Sequence, residues 1–261
     1  MINIIIPVDF SETSLNAAQY GVKMYANRAD VTITLYHFYK NEDDDLTANM
    51  NYLQSLKNNY VQYLPNIDVL QESGDEFIDS LAAFAHVKQA FLIIMGLTGK
   101  SSFAQHFSGS NTLKIAEKDI CPVLIIPSHV SFKSIEHVLI ASEMKEVGET
   151  PVLLAVKRVL KDIKPSVHIL NVDESHYISL TESYKTERDK METLLAEFKP
   201  EFYFMRQFDF HESVNRFIED KHIDMIIMGP KHHSFFDRLF KTQHTKKMLY
   251  QSNIPVLVVH E

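Results

Sequence analysis

The sequence predicts an α/β protein made of two tandem, doubly wound parallel sheets of five strands each. Three observations carry that prediction. Apolar segments recur in the same order in both halves of the 261-residue chain. Short apolar runs alternate with stretches of helical period, the pattern of strand–helix–strand units. Most of these runs are continuous rather than alternating, as in strands buried on both faces.

With Asp9 set against Glu143, the two halves align at an offset of 134 residues. NIIIPVDF (3–10) then faces HVLIASEM (137–144), and TLYHF ending at Phe38 faces VHILNV ending at Val172. One residue closer, FLIIMG (91–96) faces DMIIMG (224–229), and ICPVLIIP (120–127) corresponds to IPVLVVH (254–260). Four anchors in one order at nearly constant spacing mark a duplicated unit. The expected domains are 1–128 and 134–261, with the polar stretch Ser128–Lys133 as the hinge.

In the first half, Asn3–Val8, Val31–Phe38, Ile67–Gln71, Ala90–Met95 and Val123–Ile126 read as strands. Between them Leu15, Ala18, Val22 and Tyr25 share one helix face, and Ser11 or Thr13 is placed to cap that helix. Met50, Leu53, Leu56 and Tyr60 form a second face, and Phe77, Leu81 and Phe84 a third. A last helix is expected from Ser110 to about Glu117.

Composition narrows the function. Apolar residues make up 45% and charged residues 23%, enough for a buried core. A net charge of -8 with no Lys/Arg-rich block argues against general nucleic-acid binding, which needs clustered cations. Cys121 is the single cysteine, so no internal disulfide forms. MINIIIPVDF lacks the basic start and long apolar core of a signal peptide. No apolar run approaches the roughly 20 residues that span a bilayer. The expectation is a soluble cytoplasmic protein without a membrane partner.

One loop carries chemistry. MGLTGKSS (95–102) follows the apolar run FLII and ends like a mononucleotide loop. That loop, G-x-x-x-x-G-K-[ST], would need glycine at 94, where Ile94 stands. The dinucleotide spacing G-x-G-x-x-G fails as well. A third spacing fits: Gly96, two residues, Gly99, nine residues, then Gly109-Ser110. Three of the chain's seven glycines fall on it. Gly96 and Gly99 can bring backbone close to a ligand. Gly109-Ser110-Asn111 opens a helix whose free amides suit phosphate oxygens, with the hydroxyls of Ser108 and Ser110 as further donors. A structural turn with helix-capping glycines is the plainer reading of the same residues.

With these strands around it, the chain resembles the universal stress protein family. The resemblance rests on PVDFSETS at the first strand end, LYHF at the second, IIMGLTGKSSFAQHFSGSNT around the loop and CPVLIIP at the last strand. It spans the whole chain as a tandem pair and is specific in the first half. It implies an adenine nucleotide alpha hydrolase-like, Rossmann-like fold with ATP or another adenine nucleotide as ligand, and with Mg2+ as a companion ion that no carboxylate cluster demands. It also implies that Asp9, beside Pro7 and Val8, contacts the ribose or adenine region. Phe38 would offer backbone groups to adenine, and Met95 would line the base pocket. Asp9 also suits a helix N-terminus, and Met95 an ordinary core position.

The second half departs from the motif. It reads MGPKHHSFFDRLFKTQHT: Gly229 is kept, His232 takes the second glycine position and Thr242-Gln243 the third pair. Glu143 stands for Asp9 and Ala141 for Pro7. This half is expected to keep the fold and not to bind ATP in the family's manner. His232, His233 and His244 lack a metal-ligand spacing and read as a surface loop, while their basic neighbours fit a different anion.

The resemblance further implies that the two last strands pair within one chain, relating the two five-stranded sheets by a pseudo-twofold axis, and two such chains can associate into a homodimer. No nucleophile–base pair or catalytic carboxylate pair is visible. An ATP-binding sensor or regulator of stress responses is therefore the leading expectation. A slow ATPase and a nucleotide-independent interaction scaffold stand as alternatives.

Overall fold

Three consecutive isoleucines, Ile4, Ile5 and Ile6, sit at the centre of the first sheet and are almost fully buried. They belong to β1 (Ile2–Pro7). β-branched side chains on both faces are what a central strand of a covered sheet requires. The structure is a computed structural model that describes residues 1–40, 45–97, 108–118, 120–141, 151–173, 182–206, 210–228 and 252–259. The chain divides into two compact units, Met1–Lys133 and Ser134–Glu261.

In the first unit, β1 is followed by α1 (Glu12–Met24), β2 (Val31–Tyr39), α2 (Leu46–Tyr60) and β3 (Ile67–Ser73). Then come α3 (Phe77–Val87), β4 (Leu92–Leu97), α4 (Ser108–Ala116) and β5 (Val123–Pro127). The strand order is β3-β2-β1-β4-β5, and every pair is parallel. The order reverses between β1 and β4, so their carboxyl ends flank a crevice, the usual ligand position in open parallel sheets.

Ser11 caps α1: its side chain accepts from the Ser14 N–H, while Glu12 and Lys23 complement the helix dipole. Thr13 is not the cap. Ala17, Ala18, Tyr20, Gly21 and Val22 of α1 are buried, as is Tyr25 at its C-cap, and Leu15 is half-buried. At Gly21 a Cβ would stand 2.7 Å from Ile6 Cδ1 and 2.8 Å from Ile94 Cδ1. The missing side chain is what lets α1 lie close to the sheet. On α2 only Leu53 is buried, Leu56 and Tyr60 are half-buried, and Met50 is 37% exposed. The expected apolar face is thus narrower, because α2 lies against the edge strand β3 and has less sheet to cover.

The segment after β5 is held to the first unit. The Asn16 amide donates to the Val130 carbonyl at 2.9 Å, and Tyr20 meets Phe132 edge-on at 5.2 Å. Ser128–Lys133, expected as a hinge, is therefore fastened to α1.

The second unit contains β6 (His137–Ala141), α5 (Pro151–Ile163), β7 (Ser166–Asp173), α6 (Glu182–Leu194) and a 3-10 turn (Ala196–Phe198). It continues with β8 (Glu201–Arg206), α7 (Phe210–Lys221), β9 (Met225–Met228) and β10 (Val256–Val258). Its order, β10-β9-β6-β7-β8, repeats the wiring of the first unit with all pairs parallel. The edge strand β8 is protected by cations over its rings: Arg188 lies 5.1 Å from Phe202 and Lys221 4.7 Å from Tyr203. Among the described residues, no helix is long and apolar enough to cross a membrane.

Candidate functional site

A cavity of about 550 Å³ opens at the carboxyl ends of β1, β2 and β4 in the first unit. Small-molecule sites commonly fall between about 300 and 1,000 Å³. Pro7, Val8 and Asp9 enter from the end of β1, Phe38 from β2, Met95 and Gly96 from β4, and Asn111 from α4. Seven residues picked from sequence thus come together around one space. Ser108, Gly109 and Ser110 form the opening turn of α4. Gly99, with Lys100, lies outside the described residues.

The turn after β1 is built with strain. Phe10 has φ 63°, a left-handed conformation that is uncommon for a bulky side chain and costs on the order of 1–3 kcal/mol. Packing holds it there: its ring lies 4.5 Å from the His37 ring and meets Tyr52 edge-on at 5.0 Å. His37 Nδ1 is 2.8 Å from the Val8 carbonyl oxygen, so that nitrogen carries the proton and donates. The same bond fastens the end of β1 to β2.

The turn leaves Asp9 at the cavity, gripped by the start of α1. Its Oδ1 accepts from the Ser11 hydroxyl at 2.6 Å and from the Ser11 N–H at 3.1 Å. The Asp9 N–H donates to Ser14 Oγ at 3.3 Å. Burial works against the charge on Asp9. The Ser11 and Ser14 hydroxyls and the Ser11 N–H outweigh it and hold the carboxyl below its usual range. The site therefore presents an ionised acceptor at neutral pH.

Gly96 has a second reason to be glycine. A Cβ there would stand 2.5 Å from both Thr13 Cγ2 and the Thr13 carbonyl oxygen. The bare backbone admits the first turn of α1 against the end of β4. On the other side, the buried Thr112 hydroxyl donates to the Gly96 carbonyl at 2.8 Å and ties α4 to the same point. The position serves packing as well as any ligand.

Sequence reasoning missed the far wall. Thr13 and Ser14 line the cavity, as do Tyr39, Lys40, Glu76, Phe77, Ile78, Thr112 and Lys114. Phe38 and Phe77 meet edge-on at 5.7 Å, and Lys40 Nζ lies 3.8 Å from Glu76 Oε1. Thr13 and Ser14 could have been found from the capping sequence SETS. Glu76, just before α3, and Phe77 and Ile78, at its start, belong to no motif, and only the parallel order places them beside β2.

Of the second half's counterparts, Ala141 ends β6 and is buried. Glu143, Gly229, His232, His233, Thr242, Gln243 and His244 lie outside the described residues.

Two units with the same doubly wound wiring, the first with a cavity at its switch point, define a tandem, doubly wound α/β protein. The model of the universal stress protein family matches residues 1–127 and again 136–260. The chain belongs to the universal stress protein family. Among solved structures it is similar to a universal stress protein from Archaeoglobus fulgidus DSM 4304. The TM-score is 0.71 at 17% identity, covering 99% of this chain and 96% of that one. A protein of unknown function from Pseudomonas aeruginosa PAO1 gives a TM-score of 0.65 at 14% identity, covering 99% and 92%. The cytoplasmic domain of a prokaryotic cation chloride cotransporter gives 0.58 at 8%, covering 98% and 94%. At these identities the likeness concerns the fold. No curated protein matches the chain.

Proposed function

We propose that the first unit binds ATP, and that the protein is a cytoplasmic regulator whose state follows adenine nucleotide. The observation that carries this reading is the single cavity shared by Asp9, Phe38, Met95 and Asn111, which arrive from four separate segments. Each wall suits one part of the ligand. Phe38, Phe77 and Met95 supply an apolar seat for a base. The ionised Asp9 accepts from ribose hydroxyls. The first turn of α4, begun by Ser108, Gly109 and Ser110, offers unpaired amides to phosphate oxygens, and Lys114 lines the cavity one turn further on. Mg2+ would enter bound to the phosphates.

The second unit, with His232 and Thr242-Gln243 at the glycine places, does not bind ATP in this way. The two units pair through β5 and β10, each of which has a strand partner on one side within its own unit and an edge that needs cover. Two chains then associate as a homodimer, which sedimentation of the purified protein tests.

Calorimetric titration of ATP, ADP and AMP into the parent protein and into Gly109→Asp tests the nucleotide reading, followed by hours-long assays of hydrolysis. Binding by the parent, its loss in the variant, and no turnover support a regulator. Turnover would make the protein a slow ATPase. Absence of binding by the parent removes the nucleotide reading and leaves an interaction scaffold.

A further inference from the structure

At the amino-terminal ends of β6, β7 and β8 a chain of titratable groups is packed into the second unit. His137 Nδ1 and His168 Nε2 are 3.1 Å apart. His168 is buried, and its Nδ1 has no hydrogen-bond partner but lies 3.6 Å from Glu201 Oε2. Glu201 Oε2 in turn accepts from the Tyr203 hydroxyl. Lys221 of α7 sits over the Tyr203 ring. Just before β9, Asp224 Oδ2 accepts the N–H groups of Glu136 and His137 at 2.8 and 2.9 Å.

Two imidazole nitrogens at hydrogen-bond distance must share one hydrogen. If His168 Nε2 donated, its Nδ1 lone pair would face the Glu201 carboxylate. If His137 Nδ1 donates, His168 carries its own proton on Nδ1, facing that carboxylate. Electrostatics selects the second arrangement. It leaves His137 Nε2 free to take a proton without disturbing the contact, because His137 Nδ1 remains the donor. A proton on His168 Nε2 would set two N–H groups against each other and bring a cation towards Lys221.

We propose that His137 and His168 form an acid sensor in the second unit, opening the base of β6, β7 and β8 when a proton reaches His168 Nε2 and sets it against the His137 Nδ1–H. Burial holds His168 below the ordinary imidazole range. The pull of Glu201 opposes this, and His137 and Lys221 add to it. The unfolded chain therefore takes up this proton at a higher pH than the folded one. The stabilisation is complete above the unfolded value of about 6.5 and is lost as pH falls below it. The device does not depend on nucleotide binding.

The test is a histidine 15N titration of the full chain, assigned with His137→Gln and His168→Gln. Amide hydrogen exchange of β6 and β7 is followed from about pH 7.5 down to and below about pH 5, so that the lowered His168 is covered. The expected result is His168 protonated on Nδ1 alone at neutral pH and taking its second proton below the ordinary imidazole range. Exchange in β6 and β7, corrected for intrinsic rates, rises as His168 titrates. If His168→Gln does not fold, Glu201→Gln decides. It keeps an acceptor for Tyr203, weakens the Nδ1–H preference of His168 and moves the opening to lower pH. His168 protonated on Nε2 at neutral pH, or protection of β6 and β7 unchanged while His168 becomes charged, would overturn the proposal.

Discussion

Gly96→Ala offers the sharpest test of how the cavity is built. The added methyl carbon would lie 2.5 Å from Thr13 Cγ2 and 2.5 Å from the Thr13 carbonyl oxygen, with the Thr13 carbonyl carbon at 3.0 Å. Carbon atoms rest comfortably at about 3.5–4.0 Å, so relief needs a movement of roughly 1 Å. The Thr13 side chain can rotate, but its carbonyl belongs to the first turn of α1 and cannot move alone. Moving it disturbs the Ser11 cap and the bonds that hold Asp9. Forced overpacking of this kind costs about 1–3 kcal/mol, and the backbone contact places the variant at the upper end. Urea unfolding of parent and variant measures the difference directly. Thr13→Ala in the same chain removes Cγ2 but leaves the carbonyl, so it should restore less than half of the loss. A Gly96→Ala protein within about 0.5 kcal/mol of the parent would refute the reasoning, since ordinary surface changes fall in that range.

Three further outcomes follow from individual contacts. Ser11→Ala removes the α1 cap and the hydroxyl hydrogen bond to Asp9, leaving the backbone N–H bond, and should cost about 1 kcal/mol at neutral pH by urea unfolding. Asp9 has a lowered pKa when folded, so its stabilisation is present above the unfolded carboxylate value of about 4 and is lost as pH falls through the folded value. The parent and Ser11→Ala should therefore converge in acid. Thr112→Val leaves the buried Gly96 carbonyl without its 2.8 Å donor and should cost about 1–3 kcal/mol in the same assay. Cys121 has its thiol pushed up to about 12 by burial, so a thiol-specific reagent near neutral pH should modify it only slowly until denaturant unfolds the chain.

The repeat, the parallel strands and the helix starts were legible in the sequence because each depends on local pattern. Continuous apolar runs such as Ile4–Ile6 and Leu92–Met95 need two covering layers, whichever elements provide them. Serine two residues past Asp9 can cap a helix by local bonding alone. The glycine spacing was legible for a similar reason, since few residues tolerate close backbone approach. What the motif could not convey was which neighbour makes the approach: at Gly96 it is Thr13, more than eighty residues earlier.

The boundary between the two kinds of information follows from distance along the chain. By itself the sequence determined that this protein is a duplicated α/β chain of the universal stress type, with one motif kept and one altered. The duplicated α/β plan rests on periodicity and spacing, and the universal stress type on the resemblance carried by PVDFSETS, LYHF, the glycine loop and CPVLIIP. Only the tertiary structure decided that Lys40, Glu76 and Phe77 share the cavity with Asp9, that packing against His37 and Tyr52 holds Phe10 in a left-handed turn, and that His137 meets His168. These contacts depend on parallel strand order and register, which join residues that no local signal connects.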